Sequence, residues 1–136
     1  MKQLYAPAPL LIAFALLGAL IAPGAAIGQA STFHKTTLQD QPFPGPAFHT
    51  VTIKTLVDPK GEVARHTHPG LEIGYVISGQ ARLIVTGQAP RPLSKGDSFA
   101  VPRDTVHELD NVGPGPLTVL STYVVDAGKP VASPAQ

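Results

Sequence analysis

The chain of 136 residues contains no cysteine, and this absence excludes several kinds of chemistry. Without a thiol, the protein has no disulfide, no thiolate ligand for a metal and no cysteine nucleophile. A lipid anchor attached to a cysteine behind an export signal is excluded for the same reason. Any metal site must therefore use ligands other than thiolate, and histidine and carboxylate side chains are the candidates considered below.

An excess of charge is also lacking. Ten lysines and arginines balance nine aspartates and glutamates, and the sequence contains no basic run. Binding to a nucleic acid depends on clustered cations that neutralise phosphates. We therefore expect no nucleic acid among the partners.

The first thirty residues have the pattern of an export signal. Lys2 is their only charge, and residues 10–21 form an unbroken apolar stretch, LLIAFALLGALI. This stretch is shorter than the roughly 20 residues that span a membrane comfortably. Pro23 ends it, and Gly28-Gln29-Ala30 offers a small-residue cleavage site. The sequence predicts a signal peptide over residues 1–30 and an exported protein, periplasmic or secreted, without a stable membrane anchor after cleavage.

Two alternatives to this interpretation remain open. Gly24-Ala25-Ala26 is a second possible cleavage site. The other alternative is that the segment is not cleaved and that its apolar stretch anchors the domain to a membrane. A mature chain that begins near Ser31 is the expectation.

The remaining residues have the composition of a protein made of short strands. Glycine and proline are abundant, at 13 and 15 residues, and no helical period follows residue 30. Residues 31–47 are polar and broken by prolines, which predicts an extended arm that covers a sheet edge or pairs with a second subunit. Residues 127–136 are predicted to be a disordered tail.

Between the arm and the tail, residues 48–126 contain about seven strand-like runs separated by turn signals. This pattern predicts an all-β antiparallel sandwich or closed barrel. The clearest runs are FHTVTIKTLV, LEIGYVIS, QARLIVTG and LTVLSTYVV.

Histidines and one glutamate form the most informative pattern. His66 and His68 are two residues apart, so both imidazoles lie on one face of a strand. Glu72 follows across a Pro-Gly turn, and a hairpin would bring its carboxylate back beside the two rings. His107 lies on a late strand, and spacing alone does not place it near the others. The simpler alternative is that His66 and His68 bind no metal and are either exposed or hydrogen-bonded near a loop.

The stretch from Gly61 to Asn111 resembles the two signature motifs of the cupin family. The first motif is represented by Gly61, His66-Thr67-His68, Glu72 and Gly79, and the second by Gly96, Pro102-Arg103-Asp104, His107 and Asn111. Two positions depart from the family pattern. Gly61 is one residue closer to the histidines, and Asp104 replaces a glycine in a turn, where aspartate tolerates the left-handed conformation better than most residues.

The resemblance implies both a fold and a site. The implied fold is a cupin jelly-roll β-barrel of about six to eight strands. The implied site is one divalent transition metal ion (Fe, Mn, Ni, Zn or Cu) bound by His66, His68, Glu72 and His107, with open positions for a small-molecule ligand or substrate. Small cupins commonly pair, and the arm of residues 31–47 is one means of pairing, so we expect a homodimer.

Three functional hypotheses follow from these observations. The first is a small metalloenzyme, dioxygenase-like or isomerase-like, in which the metal acts as a Lewis acid. The second is a non-catalytic cupin that binds or senses a metal or small ligand in the periplasm. The third is a metal-free barrel in which the histidines form a polar core network. The sequence assigns no catalytic residue, because no second acid or base is well placed beside the metal.

Strand alternation gives expectations for the neighbouring residues. Arg65 and Thr67 are expected to face away from the cavity, and Tyr75 is expected to serve in packing. Tyr123 would offer a hydroxyl near the metal only if it faced inward, which is the less favoured alternative. His49 has no assigned partner.

Overall fold

The computed structural model describes residues 32–136, and this part of the chain contains ten β-strands and no α-helix. Within it, no helix is long and apolar enough to cross a membrane. The predicted signal peptide, residues 1–30, lies outside the described residues. The strands are β1 (Phe33–Gln41), β2 (Phe48–Val57), β3 (Glu62–Thr67), β4 (Gly70–Ser78), β5 (Gln80–Val85), β6 (Arg91–Ser94), β7 (Ser98–Val101), β8 (His107–Asn111), β9 (Leu117–Asp126) and β10 (Ser133–Pro134).

The strands form two antiparallel sheets of five strands each. One has the order β1-β2-β9-β4-β7 and the other the order β10-β3-β8-β5-β6. The prediction of an all-β antiparallel fold is confirmed. The prediction of a closed barrel is wrong, because among residues 32–136 no ladder of hydrogen bonds joins the two sheets. The chain crosses from β3 to β4 through Pro69, which has no N–H to continue a ladder. The protein is therefore a double-sheet structure with two pairs of open edges.

The core lies between the two sheets. In β9 every second residue is buried, so Leu117, Val119, Ser121, Tyr123 and Val125 face inward. The largest apolar cluster combines residues of both sheets, including Val76 and Val101 from the first and Leu83 and Leu93 from the second. Burial of each such side chain stabilises the fold by about 1.5–3 kcal/mol. This clustering fixes how the two sheets face each other, and with it the position of every polar residue on their inner faces.

The two ends of the described chain both add strands to sheet edges. β1 pairs with β2 of the same chain from Phe33 opposite Val57 to Gln41 opposite Thr50, so the predicted extended arm covers its own sheet. The tail predicted to be disordered instead contains β10, which pairs with β3. Backbone hydrogen bonds at an open sheet edge require no side-chain pattern, so the composition of the tail did not reveal this strand.

The turns of the two motifs adopt the conformations that their residues favour. Asp104, which replaces a glycine of the family pattern, has a φ of 55°, and Gly79 and Gly96 have φ values of 90° and 96°. All three positions thus lie in the left-handed region. The tolerance expected of aspartate at position 104 is confirmed.

Candidate metal centre

Four side chains from both sheets meet between β3, β4 and β8. His66 on β3 lies opposite His107 on β8, and His68 follows directly after β3. Glu72 reaches them from β4 in the facing sheet. One ligand atom from each of these residues lies within 4.8 Å of every other. The structure therefore brings together all four residues predicted from the sequence, including the sequence-distant His107.

The three imidazoles are oriented in the same way. The Nδ1 of His66 lies 2.7 Å from the carbonyl of Ala64, and that of His107 lies 2.9 Å from the carbonyl of Thr105. The Nδ1 of His68 lies 2.7 Å from the carbonyl of Val131. A carbonyl only accepts, so each Nδ1 carries the proton and donates. Each Nε2 of the neutral ring then presents a lone pair, which is the usual state of a histidine that ligates a metal.

These lone pairs point toward the carboxylate of Glu72. The short distances between them indicate whether a cation would fit the cluster. The Nε2 of His68 lies 3.0 Å from Glu72 Oε2, and the Nε2 of His107 lies 3.1 Å from the same atom. The His68 contact lacks the direction of a hydrogen bond, so this buried Nε2 has no hydrogen-bond partner. Electron-rich atoms that approach so closely repel one another unless a positive charge lies among them. A proton on one Nε2, as in a hydrogen bond from His107 to Glu72, supplies such a charge. A metal ion supplies it as well, without changing any of the three Nδ1 bonds.

The dimensions of the cluster also suit one ion. Zinc, for example, binds nitrogen at about 2.0–2.1 Å, so two ligand atoms of one ion lie at most about 4.2 Å apart. The widest pair of ligand atoms, at 4.8 Å, would need to approach by at least about half an ångström. Beside the cluster is an inner cavity of about 20 Å³, lined by His66, Glu72, His107 and Tyr123 among others. This volume holds about one water-sized group.

Burial and mutual contact set the protonation of the cluster. Burial and, after it, the proximity of His107 lower the pKa of His66 from 6.5 to about 4. For Glu72, burial by itself would raise the pKa, but the contacts with His107 and His68 outweigh it and hold the pKa below its usual range. Near neutral pH, Glu72 is thus ionised and His66 neutral. These are the forms that bind a metal.

Tyr123 supports the carboxylate from the neighbouring strand. It lies opposite Glu72 in the pairing of β4 with β9, and its hydroxyl donates to Glu72 Oε1 at 3.1 Å. Burial raises the pKa of Tyr123, and the charge of Glu72 raises it further, so the hydroxyl stays protonated. The inward orientation, the less favoured alternative in the sequence, is the one adopted. The alternation of apolar residues in LTVLSTYVV is the signal that would have favoured it.

Backbone groups that the sequence analysis did not identify orient the histidines. Val131, in the C-terminal tail, supplies the carbonyl that accepts from His68. The amide of Asp104 donates to the carbonyl of His68 at 2.9 Å, and Thr105 from the same turn accepts from His107. The tail and the turn of the second motif thus hold two of the imidazoles. No side-chain pattern reports such contacts, because any residue type supplies a backbone amide or carbonyl.

Asn111, the last residue of the second motif, has a structural role away from the cluster. Its amide nitrogen lies 3.0 Å from the carbonyls of Val57 and Asp58 and 2.8 Å from that of Gly115. Its side-chain oxygen accepts from the amide of Gly113 at 3.0 Å. It therefore ties the end of β8 to two neighbouring loops.

The other residues considered in the sequence fall outside the cluster. Arg65 is exposed, as expected of a surface residue, but it lines an outer cavity beside His66. Thr67 is half-buried. Tyr75 lies on the face of β4 opposite Glu72, as predicted, but it is 48% exposed and so is not part of the core. His49, for which the sequence offered no partner, lies 3.0 Å from the carboxylate of Asp40.

Comparison with known proteins agrees with the fold and the motifs. The sequence model of the family described as a cupin domain matches residues 54–123, which is more than half of the chain. The chain belongs to the cupin family. The matched region contains all four residues of the cluster.

Solved structures give the same result for the fold. An uncharacterised conserved protein with a double-stranded β-helix domain from Klebsiella pneumoniae has a TM-score of 0.64 at 21% identity, covering 79% of this chain and 87% of that one. A recombinant oxalate oxidase in complex with glycolate has a TM-score of 0.63 at 20% identity, covering 79% and 57%. KdgF from Halomonas sp. has a TM-score of 0.52 at 25% identity, covering 68% and 78%. No curated protein sequence matches the chain.

Proposed function

We propose that His66, His68, Glu72 and His107 bind one divalent transition metal ion. The observation that carries this proposal is the common orientation of the three imidazoles, whose Nδ1 atoms donate to backbone carbonyls while their Nε2 atoms converge on Glu72. Three neutral nitrogens and one carboxylate suit iron, manganese, nickel, zinc or copper. The ligand set does not distinguish among these metals.

Metal analysis of protein purified without an affinity tag tests the proposal. We expect about one ion per chain and a rise in melting temperature on adding metal, because an ion bound only to the folded state stabilises it. His107→Ala should abolish both effects. His49→Ala is the matched control, since His49 binds Asp40 and lies outside the cluster. No melting shift with any of the five metals would instead support a metal-free polar network.

We propose further that this centre belongs to a small metalloenzyme, oxygenase-like or isomerase-like. A divalent ion held there would supply a Lewis acid that polarises an oxygen of a bound molecule. The inner cavity of about 20 Å³ leaves room beside the ligand atoms for about one water-sized group. Tyr123 holds Glu72 in place by hydrogen bonding to Oε1. An oxidase of the same fold, oxalate oxidase, has been solved with glycolate, which supports small-molecule chemistry as a use of this fold.

A non-catalytic cupin that binds or senses a metal or small ligand is the second candidate. One observation favours it: besides the cluster, the inner cavity is lined by only two titratable groups, Lys35 and Tyr123, and Tyr123 stays protonated. The described residues thus offer no second carboxylate as a base. Turnover of a panel of small substrates by metal-loaded protein separates the two candidates, with His107→Ala as the inactive reference. Saturable binding without turnover would favour the second.

We propose that the protein is exported and acts in the periplasm or outside the cell. The pattern of residues 1–30 supports this, since a single lysine precedes an apolar stretch and small residues follow. N-terminal sequencing of native protein should find a start near Ser31. An intact Met1 would contradict the proposal.

We propose that the chain forms a homodimer. β1 already pairs with β2 of its own chain, so the better candidate surface is an exposed apolar row on the outer face of β4, formed by Leu71, Ile73, Tyr75 and Ile77. A second copy that packs against this row would remove it from water. Light scattering at micromolar concentration should give the dimer mass, and Ile73→Lys should lower it. A monomer mass for the unmodified protein would contradict the proposal.

A further inference from the structure

A second cavity adjoins the inner one and opens outward between β1, β3 and β10. Its volume is about 290 Å³, and we call it the vestibule; it is lined by Phe33, Lys35, Val63, Arg65, His66 and Pro134, among others. Lys35, Val63 and His66 line both cavities, so the vestibule leads to the cluster. Small-molecule sites usually occupy about 300–1,000 Å³. The vestibule therefore suits a small ligand that approaches the cluster from the His66 side.

The charges that line the vestibule have one sign. Lys35 and Arg65 carry the formal charges, and no acidic residue lines this cavity. Arg65 donates one N–H to the hydroxyl of Thr86 at 3.3 Å, which leaves other guanidinium donors free. Within residues 32–136, neither cation forms an ion pair with a carboxylate, whereas Arg82 pairs with Asp110.

Glu72, the acidic residue of the adjoining inner cavity, already contacts other side chains. Glu72 is held by His68, His107 and Tyr123, although its charge still acts on Lys35. Lys35 is exposed on β1, and its Nζ lies 5.4 Å from the centroid of the Phe33 ring. An ammonium has three donors, and a contact with a ring face leaves donors for an anion. The apolar walls formed by Phe33, Val63 and Pro134 suit a ligand that also has an organic part.

We propose that the vestibule binds a small organic carboxylate, attracted by Lys35 and Arg65 and packed against the apolar wall. The inference deepens the proposed function, because it names the class of molecule that reaches the cluster. The inference depends on metal only in part. Lys35 and Arg65 supply two positive charges in the vestibule even without an ion, and a bound ion would add further positive charge near Glu72. Lys35 comes from the N-terminal arm, outside both motifs.

Titration of the full chain with benzoate and its neutral analogue benzamide, followed by nuclear magnetic resonance, tests the inference. The protein is examined both metal-free and loaded with zinc. We expect benzoate to bind about tenfold more tightly than benzamide, which corresponds to about 1.4 kcal/mol. Lys35→Met, which keeps the length of the side chain, should weaken benzoate binding about tenfold, and Lys35→Arg should restore it. Lys54→Met is the matched control, since Lys54 is exposed on β2 and lines neither cavity.

The outcomes separate this inference from the metal proposal. Benzamide binding as tightly as benzoate would mean an apolar pocket and would overturn the inference. Benzoate binding unchanged by Lys35→Met, or absent altogether, would overturn it as well. Zinc content is measured in the same samples. Protein that takes up no zinc but still binds benzoate through Lys35 would overturn the metal proposal and leave the inference standing.

Discussion

The inner faces of the two sheets contain two regions that differ in how their residues are held. Along β4 the inward side chains change from Glu72 to Val76, and along β9 from Tyr123 to Leu117. The aliphatic region is stabilised by burial, which has no direction, so many arrangements of similar volume would satisfy it. The polar region is different, because each imidazole has one fixed backbone partner. Stability and site geometry thus reside in neighbouring stretches of the same strands.

The largest loss of stability is expected from a substitution in the aliphatic region. Leu117 is fully buried and lines neither cavity, so Leu117→Ala should lower the free energy of unfolding by about 2–5 kcal/mol. Chemical denaturation measures this loss. The rise in melting temperature on adding metal should persist, because the polar region is untouched. Leu120→Ala, three residues away on the outer face of the same strand, is the matched control and should cost much less. Equal losses, or loss of the metal effect, would mean that the two regions are not separable.

A pH titration of the metal-free protein addresses the polar region. His66 has its pKa lowered from 6.5 to about 4 in the folded state, so between these values the unfolded chain binds a proton that the folded chain excludes. The free energy of unfolding should therefore fall as the pH falls through this window, by up to about 3 kcal/mol. Below the ordinary carboxyl range, Glu72 adds a loss in the same direction, because its folded pKa is lowered. Denaturation midpoints at a series of pH values measure the slope.

The variant His66→Gln separates this residue from the other titrating groups. It should flatten the slope between about pH 4 and 6.5, because glutamine binds no proton there. His34→Gln, at an exposed position on β1, should leave the slope as it is. A slope that survives in His66→Gln would show that the acid sensitivity arises elsewhere.

The sequence predicted the aliphatic region and the identity of the cluster better than it predicted the groups that orient the cluster. Alternation in runs such as LTVLSTYVV predicted strands and an antiparallel fold, because burial on one face of a strand requires that period. The spacing of His66 and His68 predicted a shared face, but only the resemblance to the cupin motifs added His107. The ordered tail and the carbonyl of Val131 left no trace in the sequence, because backbone groups are common to all residues. Closure into a barrel was predicted wrongly, since hydrogen bonding across open edges depends on distances that a pattern of residues does not encode.

The smallest change in stability is expected from removing the hydroxyl of Tyr123. This change also tests most directly whether the polar region is held together by hydrogen bonds to Glu72. Tyr123→Phe keeps the ring, which lies 4.7 Å from that of His68, and removes only the donor to Glu72. A hydrogen bond to a charged group contributes about 1.5–3 kcal/mol, and we expect the lower end of this range. Metal affinity should fall about tenfold, because partners of a ligating group orient it and tune its basicity. Tyr75→Phe is the matched control, since its hydroxyl lies on an exposed residue of the outer face. A loss of stability with unchanged metal affinity would show that the hydroxyl of Tyr123 stabilises the fold without orienting Glu72 for the metal. A parallel loss of both would place Tyr123 among the groups that hold Glu72 for the metal.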